Sequence, residues 1–310
     1  MSASSSGFPK SPKSAGYFGM VRSLIRLARP YQWVKNSFVL VGLVFGHAWT
    51  DVATWRSVAL VFAAFCLASS AVYVFNDIAD READRAHPHK RLRPVASGSV
   101  GLVAAFWLSG LLALAGLALA LAASTVAAAI VAAYLALNAG YSLGLKHVAI
   151  LDVFIIAAGF MLRILAGTLG VGIAPSQWLL LCGLMLTVFL GFAKRRAELM
   201  ALQQAGGTHR RVLDHYSPAL LDRVTAISAA GVIICYALYT VSAETALTHG
   251  TDKMVWTLPF VLYGVFRYLW LLHRAGGGGD PSRELLRDAH LLVATMGWLA
   301  VTLAALTGMV

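Results

Sequence analysis

The stretch VALVFAAFCLASSAVYVF, residues 58–75, is followed directly by NDIADREADRAHPHKRLRP, residues 76–94. The first stretch carries no charged side chain and is close to the ~20 apolar residues that a transmembrane helix needs. The second contains aspartates at positions 77, 80 and 84 and then several lysines and arginines. An apolar run of this length that ends in charged side chains predicts a helix that crosses a bilayer and places its charges at one surface.

The rest of the chain has the same apolar character. Of its 310 residues, 59% are hydrophobic and only 13% are charged. Soluble proteins carry about 25% charged residues, and no strand-like alternation favours a barrel. We therefore predict an all-α, polytopic membrane protein, with a disordered basic tail at residues 1–24 and a single transmembrane domain at residues 25–310.

The apolar runs predict nine transmembrane helices. The first run is short and could begin as an interfacial segment at Tyr31 and Trp33. The predicted spans are 36–49, 57–75, 100–120, 124–143, 149–170, 177–193, 224–242, 254–272 and 289–308.

The basic residues indicate the orientation of these spans. All but three of the 25 lysines and arginines fall on the side of the N-terminus, the exceptions being Arg56, Arg163 and Lys253. Because cytoplasmic loops are rich in lysine and arginine, the N-terminus and the stretch 76–94 are predicted to be cytoplasmic, in a bacterial inner membrane. We expect the net charge of +11 to face lipid headgroups of the bilayer and not nucleic acid.

Asp77, Asp80 and Asp84 are spaced so that they lie along one face of a helix. Three stacked carboxylates repel one another, so a positive partner is expected. Mg²⁺ is one candidate, because it prefers oxygen ligands and binds through one or two carboxylates plus substrate phosphates. Asn76 could add a carbonyl oxygen. The alternative is a solvated loop in which arginines neutralise the aspartates.

The cations that follow the aspartates suit phosphate. Arginine binds phosphate oxygens with a planar fork and lysine binds them as a point charge. Carboxylates for a metal ion, followed by cations for phosphate, predict a metal–diphosphate site at the cytoplasmic mouth of the bundle. The cations concerned are Arg85, Lys90, Arg91 and Arg93.

Four motifs resemble those of the UbiA superfamily of intramembrane prenyltransferases. They are RPYQWVKN (29–36), NDIADREAD (76–84), KRLRPVASG (90–98) and YSLGLKH (141–147). The resemblance covers most of the chain and implies nine transmembrane helices around a central cavity, with Mg²⁺-dependent diphosphate chemistry at its cytosolic mouth. Asp77, Asp80 and Asp84 are then the predicted catalytic and metal-binding residues.

The chain departs from the usual family pattern after the sixth span. Typical members carry a second aspartate-rich motif there, whereas this chain reads GFAKRRAEL, residues 191–199. Cations in place of carboxylates favour a donor with an additional phosphate, and phosphoribosyl pyrophosphate has that layout. The stretches KRRAEL and GDPSRELLRDAHLL (279–292) also resemble the branch of decaprenyl-phosphate phosphoribosyltransferases. That branch transfers phosphoribose to a polyprenyl phosphate to make a precursor of cell-wall arabinan.

The resemblance implies a wider set of substrate-binding residues. Lys194 and Arg195 are predicted to hold the 5-phosphate. Glu198, one helical turn from Lys194, is included in the set and could be the ion-pair partner of Lys194. For Arg163, deep in the fifth span, contact with substrate and an ion pair with Asp152 are equally open. The remaining predicted contacts are Lys35, Asn76, Tyr141 and Lys146.

Two rival functions remain open from the sequence. The first is a prenyltransferase that moves a prenyl group from a prenyl diphosphate to an aromatic or quinone precursor. The second is a transporter, although we find no internal repeat and only Arg163 is charged deep within a span. A homo-oligomer is compatible with either. The glycine-rich stretch 274–288 is predicted to be a flexible linker that could act as a lid.

Overall fold

A computed structural model describes residues 17–46, 48, 51–88, 90–205, 211–274, 284–285 and 287–309, and within them the fold is entirely helical. Residues 1–16 of the predicted tail, and most of the predicted linker 274–288, lie outside the described residues. The α-helices are α1 Tyr17–Ala28, α2 Val41–Phe45, α3 Val52–Ala79, α4 Arg81–Ala86, α5 Leu102–Ala123, α6 Thr125–Leu143, α7 Leu151–Ala166, α8 Gln177–Ala205, α9 Pro218–Val241, α10 Ala243–His249, α11 Leu258–His273 and α12 Ala289–Leu306.

Eight helical segments are long and apolar enough to cross a membrane, and they coincide with eight of the nine predicted spans. The prediction of a polytopic helical membrane protein is therefore confirmed. The remaining predicted span, 36–49, which is the first in the chain, is not among them. It is a 3₁₀ helix, Pro30–Leu40, that continues into the short helix α2.

This 3₁₀ segment nevertheless runs from one end of the bundle to the other. At its start, Arg29 binds Asp77 near the C-terminal end of α3. In its middle, Asn36 contacts Cys66 and Ser69, within α3. Beyond its end, the Phe45 ring lies 6.3 Å from that of Tyr239, at the far end of α9. We call residues 30–45 the first passage; they precede the eight membrane-length helices and are built mainly as a 3₁₀ helix.

Two glycines let this first passage pack tightly. A Cβ atom on Gly167 would lie 1.8 Å from the carbonyl oxygen of Val39, and one on Gly42 would lie 2.1 Å from that of Gly167. Real Cβ atoms do not approach so closely, so a side chain at either position would push the first passage away from the end of α7. Val39 and Leu43 are buried as a result, in the same apolar cluster as Phe65 of α3.

Side-chain caps fix where several long helices begin. Asp51 accepts hydrogen bonds from the backbone of Ala53 and Thr54 at the start of α3. Ser124, Ser217 and Asp288 cap α6, α9 and α12 in the same way. Such caps satisfy backbone N–H groups that a helix leaves without partners.

Helix α1 corrects the predicted boundary of the tail. Residues 17–24, predicted to be disordered, form the first two turns of α1. Leu27 is fully buried, and with Leu24 it packs against Val74 and Val95. The amphipathic spacing of leucines therefore stabilises a helix in a stretch whose serine and glycine content indicated disorder.

Candidate active site

The three predicted aspartates, which we call the acidic cluster, lie where α3 gives way to α4. Asp77 is in the last turn of α3, Asp80 separates the two helices and Asp84 is in α4. Asp77 and Asp84 are buried, with 2% and 3% of their surface exposed. Carboxylates at such depth require positive partners. Three cations pair with the acidic cluster: Arg29 and Arg93 with the two buried aspartates, and Lys146 with Asp80.

Two arginines converge on Asp77. Arg29 Nη2 donates to Asp77 Oδ1 at 2.5 Å, and Arg93 Nη1 donates to the same oxygen at 3.0 Å. Arg93 Nη1 also donates to Asp84 Oδ2 at 2.7 Å. One guanidinium nitrogen is therefore held between two carboxylates that lie seven residues apart in the sequence.

Asp80 has a different set of partners. Lys146, from the 3₁₀ turn Leu145–His147 after α6, forms an ion pair with Asp80 Oδ1. Asn76 Nδ2 donates to Asp80 Oδ2 at 3.0 Å, and Ser142 Oγ donates to Asn76 Oδ1 at 3.3 Å. The end of α6 is thereby fastened to the end of α3, and the predicted residues Asn76 and Lys146 are both brought to the acidic cluster.

The acidic cluster offers ligands that suit a magnesium ion. Asp77 and Asp84 already hold one positive group, the Arg93 guanidinium, between them. Two carboxylate oxygens around one cation are what Mg²⁺ uses when substrate phosphates supply further ligands. Among the described residues, no three His, Cys, Asp or Glu side chains form a metal-binding group by themselves. A site at Asp77 and Asp84 would therefore depend on the phosphates of the substrate.

A second charged group, which we call the Arg195 network, is centred on α8. Arg195 is 0% exposed, and its Nε atom lies 2.7 Å from Asp152 Oδ2. The contact is an ion pair and not a hydrogen bond, because the N–H bond of Arg195 Nε does not point at the carboxylate oxygen. Arg195 also pairs with Glu198, one turn further along α8, and donates to Tyr141 Oη at 3.4 Å.

Tyr216 closes the Arg195 network from the segment that precedes α9. Its hydroxyl donates to Asp152 Oδ1 at 2.8 Å and accepts from the backbone N–H of Ile150 at 2.6 Å. Burial raises the pKa of the Tyr216 phenol above its usual range, so the hydroxyl stays protonated and can keep donating. Ile150 has φ of 68°, a conformation that is unfavourable for a β-branched residue.

Adjacent residues of α6 join the two charged groups. Tyr141 contacts Arg195, and Ser142 contacts Asn76 beside the acidic cluster. The acidic cluster and the Arg195 network therefore lie at the same end of the bundle.

A cavity of about 1100 Å³ extends through the bundle beside this site. Lys35 and Lys194 line it, together with apolar and aromatic side chains such as Phe38 and Phe189. Tyr239 and His249 line its other end. The structure thus separates two residues for which the sequence predicted one role: Lys194 faces the cavity, whereas Arg195 is enclosed in protein.

Arg163 is placed away from the cavity lining. Its guanidinium donates to Asn36 Oδ1 at 2.8 Å, to the Gly159 carbonyl at 2.7 Å and to Tyr134 Oη at 3.0 Å. These contacts tie the first passage to α6 and α7, so the placement favours a structural role over substrate contact. Of the two alternatives left open for Arg163, the ion pair with Asp152 is not the one formed, because Asp152 pairs with Arg195.

Three predicted phosphate-binding cations lie at the exposed end of α4 and just after it: Arg85 is in the last turn of α4, and Lys90 and Arg91 are in the 3₁₀ turn Lys90–Leu92. Lys90 and Arg91 are exposed. Arg85 is also exposed, and it donates to the Ala96 carbonyl at 3.2 Å and pairs with Glu82. The fourth predicted cation, Arg93, contacts Asp77 and Asp84 of the acidic cluster.

Sequence analysis missed three residues of the site: Arg29, Asp152 and Tyr216. Arg29 stands at the head of the motif RPYQWVKN, but it contacts Asp77 across 48 positions of sequence. Asp152 carries a weak signal as a carboxylate in the first turn of a span on the cation-rich face. Nothing local distinguishes Tyr216.

Comparison with known proteins agrees with this arrangement. The family described as UbiA prenyltransferase matches residues 36–285. The chain belongs to the UbiA prenyltransferase family. It is thus a multi-pass membrane protein of an enzyme family, and the transporter alternative finds no support.

Two relatives resemble the chain over most of its length. The decaprenyl-phosphate phosphoribosyltransferase of Mycolicibacterium smegmatis is 36% identical over 300 residues, covering 93% of this chain and 93% of the relative. That of Corynebacterium glutamicum is 36% identical over 288 residues, covering 90% of this chain and 84% of the relative. Among solved structures, a UbiA homolog from Archaeoglobus fulgidus bound to GPP and Mg²⁺ superposes with a TM-score of 0.70. It is 17% identical and covers 92% of this chain and 99% of its own, so this similarity concerns the fold.

Proposed function

We propose that the protein transfers the 5-phosphoribosyl group of phosphoribosyl pyrophosphate to a polyprenyl phosphate, such as decaprenyl phosphate, and releases pyrophosphate. The observation that carries the proposal is the position of Lys194. Helix α8 brings a lysine, and not a carboxylate, to the cavity that Lys35 also lines. The two relatives described above, both decaprenyl-phosphate phosphoribosyltransferases, support the same donor and acceptor.

The acidic cluster would hold the diphosphate of the donor. Asp77 and Asp84, with Asp80 beside them, would bind Mg²⁺, which when bound neutralises charge on the departing pyrophosphate. Arg93 and Lys146 already lie on these carboxylates. They are therefore placed to bind phosphate oxygens when the donor arrives.

Lys194 and Lys35 would hold the other phosphate of the donor at the mouth of the cavity. Their positive charges fix the ribose ring between the diphosphate and the acceptor. The acceptor oxygen belongs to a phosphate that is already anionic, so transfer needs no strong general base. Positioning and electrostatic stabilisation of the leaving group would supply most of the rate enhancement.

The polyprenyl tail suits the rest of the cavity. Apolar and aromatic side chains line the cavity between the two lysines and the opposite end, so a hydrocarbon chain can be buried there. The charge distribution supports a cytoplasmic location for the acidic cluster in a bacterial inner membrane. Water-soluble phosphoribosyl pyrophosphate would then reach the site from the cytoplasm, and the lipid acceptor from the bilayer.

The test supplies purified protein in lipid nanodiscs with labelled phosphoribosyl pyrophosphate, decaprenyl phosphate and Mg²⁺. We expect a labelled phosphoribosyl lipid, identified by mass spectrometry, and no product after chelation with EDTA until Mg²⁺ is restored. Absence of a labelled lipid product, when the protein is folded and Mg²⁺ is present, would contradict the proposal. Product formation that survives chelation would contradict the role of Mg²⁺.

A second candidate is transfer of a prenyl group to an aromatic acceptor. It is favoured by the solved homolog from Archaeoglobus fulgidus, which holds GPP and Mg²⁺. The same preparation, given GPP and 4-hydroxybenzoate, separates the two. A prenylated aromatic product without a phosphoribosyl lipid would establish this second function and reject the first.

A further inference from the structure

Arg29 occupies an unusual position between two helical segments. Helix α1 ends at Ala28 and the 3₁₀ helix of the first passage begins at Pro30. Arg29 alone forms the junction, with φ of 52° and ψ of 55°, in the left-handed region. That region is unfavourable for a residue with a side chain, and a following proline restricts the backbone further.

The strained junction aims the side chain at the acidic cluster. Arg29 Nη2 lies 2.5 Å from Asp77 Oδ1. Its guanidinium carbon lies 5.2 Å from the centre of the Tyr73 ring, which is one helical turn before Asp77 on α3. A cation above an aromatic ring is attracted by the ring face. Tyr73 and Asp77 therefore hold the guanidinium from two sides.

All hydrogen bonds that Asp77 accepts from the described residues end on one oxygen. Both Arg29 and Arg93 donate to Oδ1. The second oxygen, Oδ2, is left for another ligand. Arg93 is shared with Asp84, so it can leave Asp77 without losing every partner, whereas Arg29 pairs with Asp77 alone among the described acidic residues.

We propose that Arg29 is a positioning residue, which fixes Asp77 through Oδ1 so that Oδ2 is presented to a divalent metal ion bound with a diphosphate. This inference rests on the proposed function only in requiring a metal–diphosphate ligand, whichever group is transferred. Backbone strain is retained in proteins mainly where a functional site over-determines the conformation. The strained backbone of Arg29 is explained by the aim of its guanidinium.

The test measures binding of Mn²⁺ in the presence of inorganic pyrophosphate, by electron paramagnetic resonance on the full chain in nanodiscs. Arg29→Ala should weaken Mn²⁺ binding at least tenfold. Arg29→Gly is the decisive variant, because glycine relieves the backbone strain but removes the guanidinium. It should weaken Mn²⁺ binding as much as Arg29→Ala. Arg29→Lys should recover part of the affinity, since it restores the charge without the fork.

Two further variants form a matched pair. Tyr73→Leu removes the ring beneath the guanidinium and should weaken Mn²⁺ binding severalfold, whereas Tyr73→Phe keeps the ring face and should bind like the wild type. Arg26→Ala, on the exposed side of α1, is the control for loss of charge near the junction.

Two results would overturn the inference. One is wild-type affinity in Arg29→Gly, which would reduce Arg29 to a backbone turn. The other is a wild-type protein that binds no Mn²⁺ with pyrophosphate, which leaves no metal for Asp77 to receive. Failure of the phosphoribosyl transfer assay alone would reject the proposed donor and leave the role of Arg29 standing.

Discussion

The acidic cluster and the Arg195 network lie at the same end of the bundle, and both pair carboxylates with cations, but they differ in access. Asp80 and Arg93 expose 24% and 27% of their side chains. Arg195 and Asp152 expose 1% and 0%. A ligand can reach the acidic cluster at Asp80 and Arg93, whereas the Arg195–Asp152 pair is enclosed in protein. Charged side chains at this end of the bundle therefore differ in whether a ligand can reach them, and burial makes the difference.

Each of the two groups also adjoins one strained residue. Among the described residues, Arg29 and Ile150 are the two non-glycine positions with positive φ. Arg29 directs a side chain to Asp77, and the backbone N–H of Ile150 donates to Tyr216, which holds Asp152. In our proposal, strain at the acidic cluster serves ligand binding, whereas strain at the Arg195 network accompanies the contact between α7 and the segment before α9.

The largest expected effect comes from Asp77→Asn, which should separate activity from stability. Loss of one proposed metal ligand and of the counter-charge for two arginines should cost about 5 kcal/mol of transition-state stabilisation, or roughly 10⁴-fold in kcat. The protein should stay folded, because Arg29 and Arg93 are partly exposed and can be hydrated instead. Turnover and the thermal unfolding midpoint in detergent measure the two quantities.

The control for this variant is Asp51→Asn at the opposite end of α3, where the carboxylate is exposed and asparagine also caps a helix. It should leave kcat unchanged. An Asp77→Asn protein with full activity would remove the acidic cluster from the mechanism.

Substitution in the buried Arg195–Asp152 pair should have the opposite effect, a loss of stability. Arg195→Met leaves Asp152 buried without its cation, and breaking a buried pair from one side costs about 3–5 kcal/mol. The measurement is the free energy of unfolding in a mixed-micelle denaturant titration. Glu198→Gln removes a partner whose side chain is 31% exposed, so it should cost less than about 1 kcal/mol. If Arg195→Met were fully stable but raised the donor KM, the sequence prediction that Arg195 binds phosphate would be right.

Lys194→Ala tests the one cation of the α8 motif that reaches the cavity. A charge-assisted bond to phosphate contributes about 1.5–3 kcal/mol, so the donor KM should rise roughly 10- to 150-fold. The KM for polyprenyl phosphate should change much less. Lys253→Ala is the matched control, since Lys253 lies at the opposite face beside Trp256. An unchanged donor KM in Lys194→Ala would count against phosphate recognition by α8.

The sequence was sufficient for the long helices and for the identity of the acidic cluster. Membrane-length apolar runs predict spans because the bilayer leaves the backbone few alternatives. The spacing of Asp77, Asp80 and Asp84 predicts a common face because a helix repeats every 3.6 residues. Both inferences use local periodicity, which can be read from a single sequence.

The partners of these charges could not be predicted in the same way. The contacts Arg29–Asp77 and Lys146–Asp80 join residues 48 and 66 positions apart. Helical periodicity placed Arg163 on the face of Asp152, yet Asp152 faces Arg195 on the next helix. The first passage was predicted as a short span that could begin at the interface, whereas the structure has a 3₁₀ helix there, which the close approach of Val39 to Gly167 accommodates. Such outcomes depend on packing between helices.

The smallest effect concerns a third ion pair, Arg267–Asp288, which belongs to neither of the two charged groups. Arg267 donates to Asp288 through two nitrogens, the closer at 2.7 Å, and this bonding lowers the pKa of Asp288. A carboxyl with a lowered folded pKa stabilises the protein above its unfolded pKa of about 3.9 and loses that contribution as pH falls through the folded value.

Asp288→Asn keeps the cap of α12 but removes the charge, so at pH 7 it should cost less than about 1 kcal/mol. Asp288→Ala also removes the cap and should cost about 1 kcal/mol more. Unfolding midpoints of wild type and Asp288→Asn should converge as the pH falls from about 4 through the lowered pKa of the folded carboxyl, because the wild-type carboxyl is then protonated too. Convergence at neutral pH would mean that the pair contributes nothing. A loss as large as that of Arg195→Met would mean that exposure does not separate the charged groups of this protein.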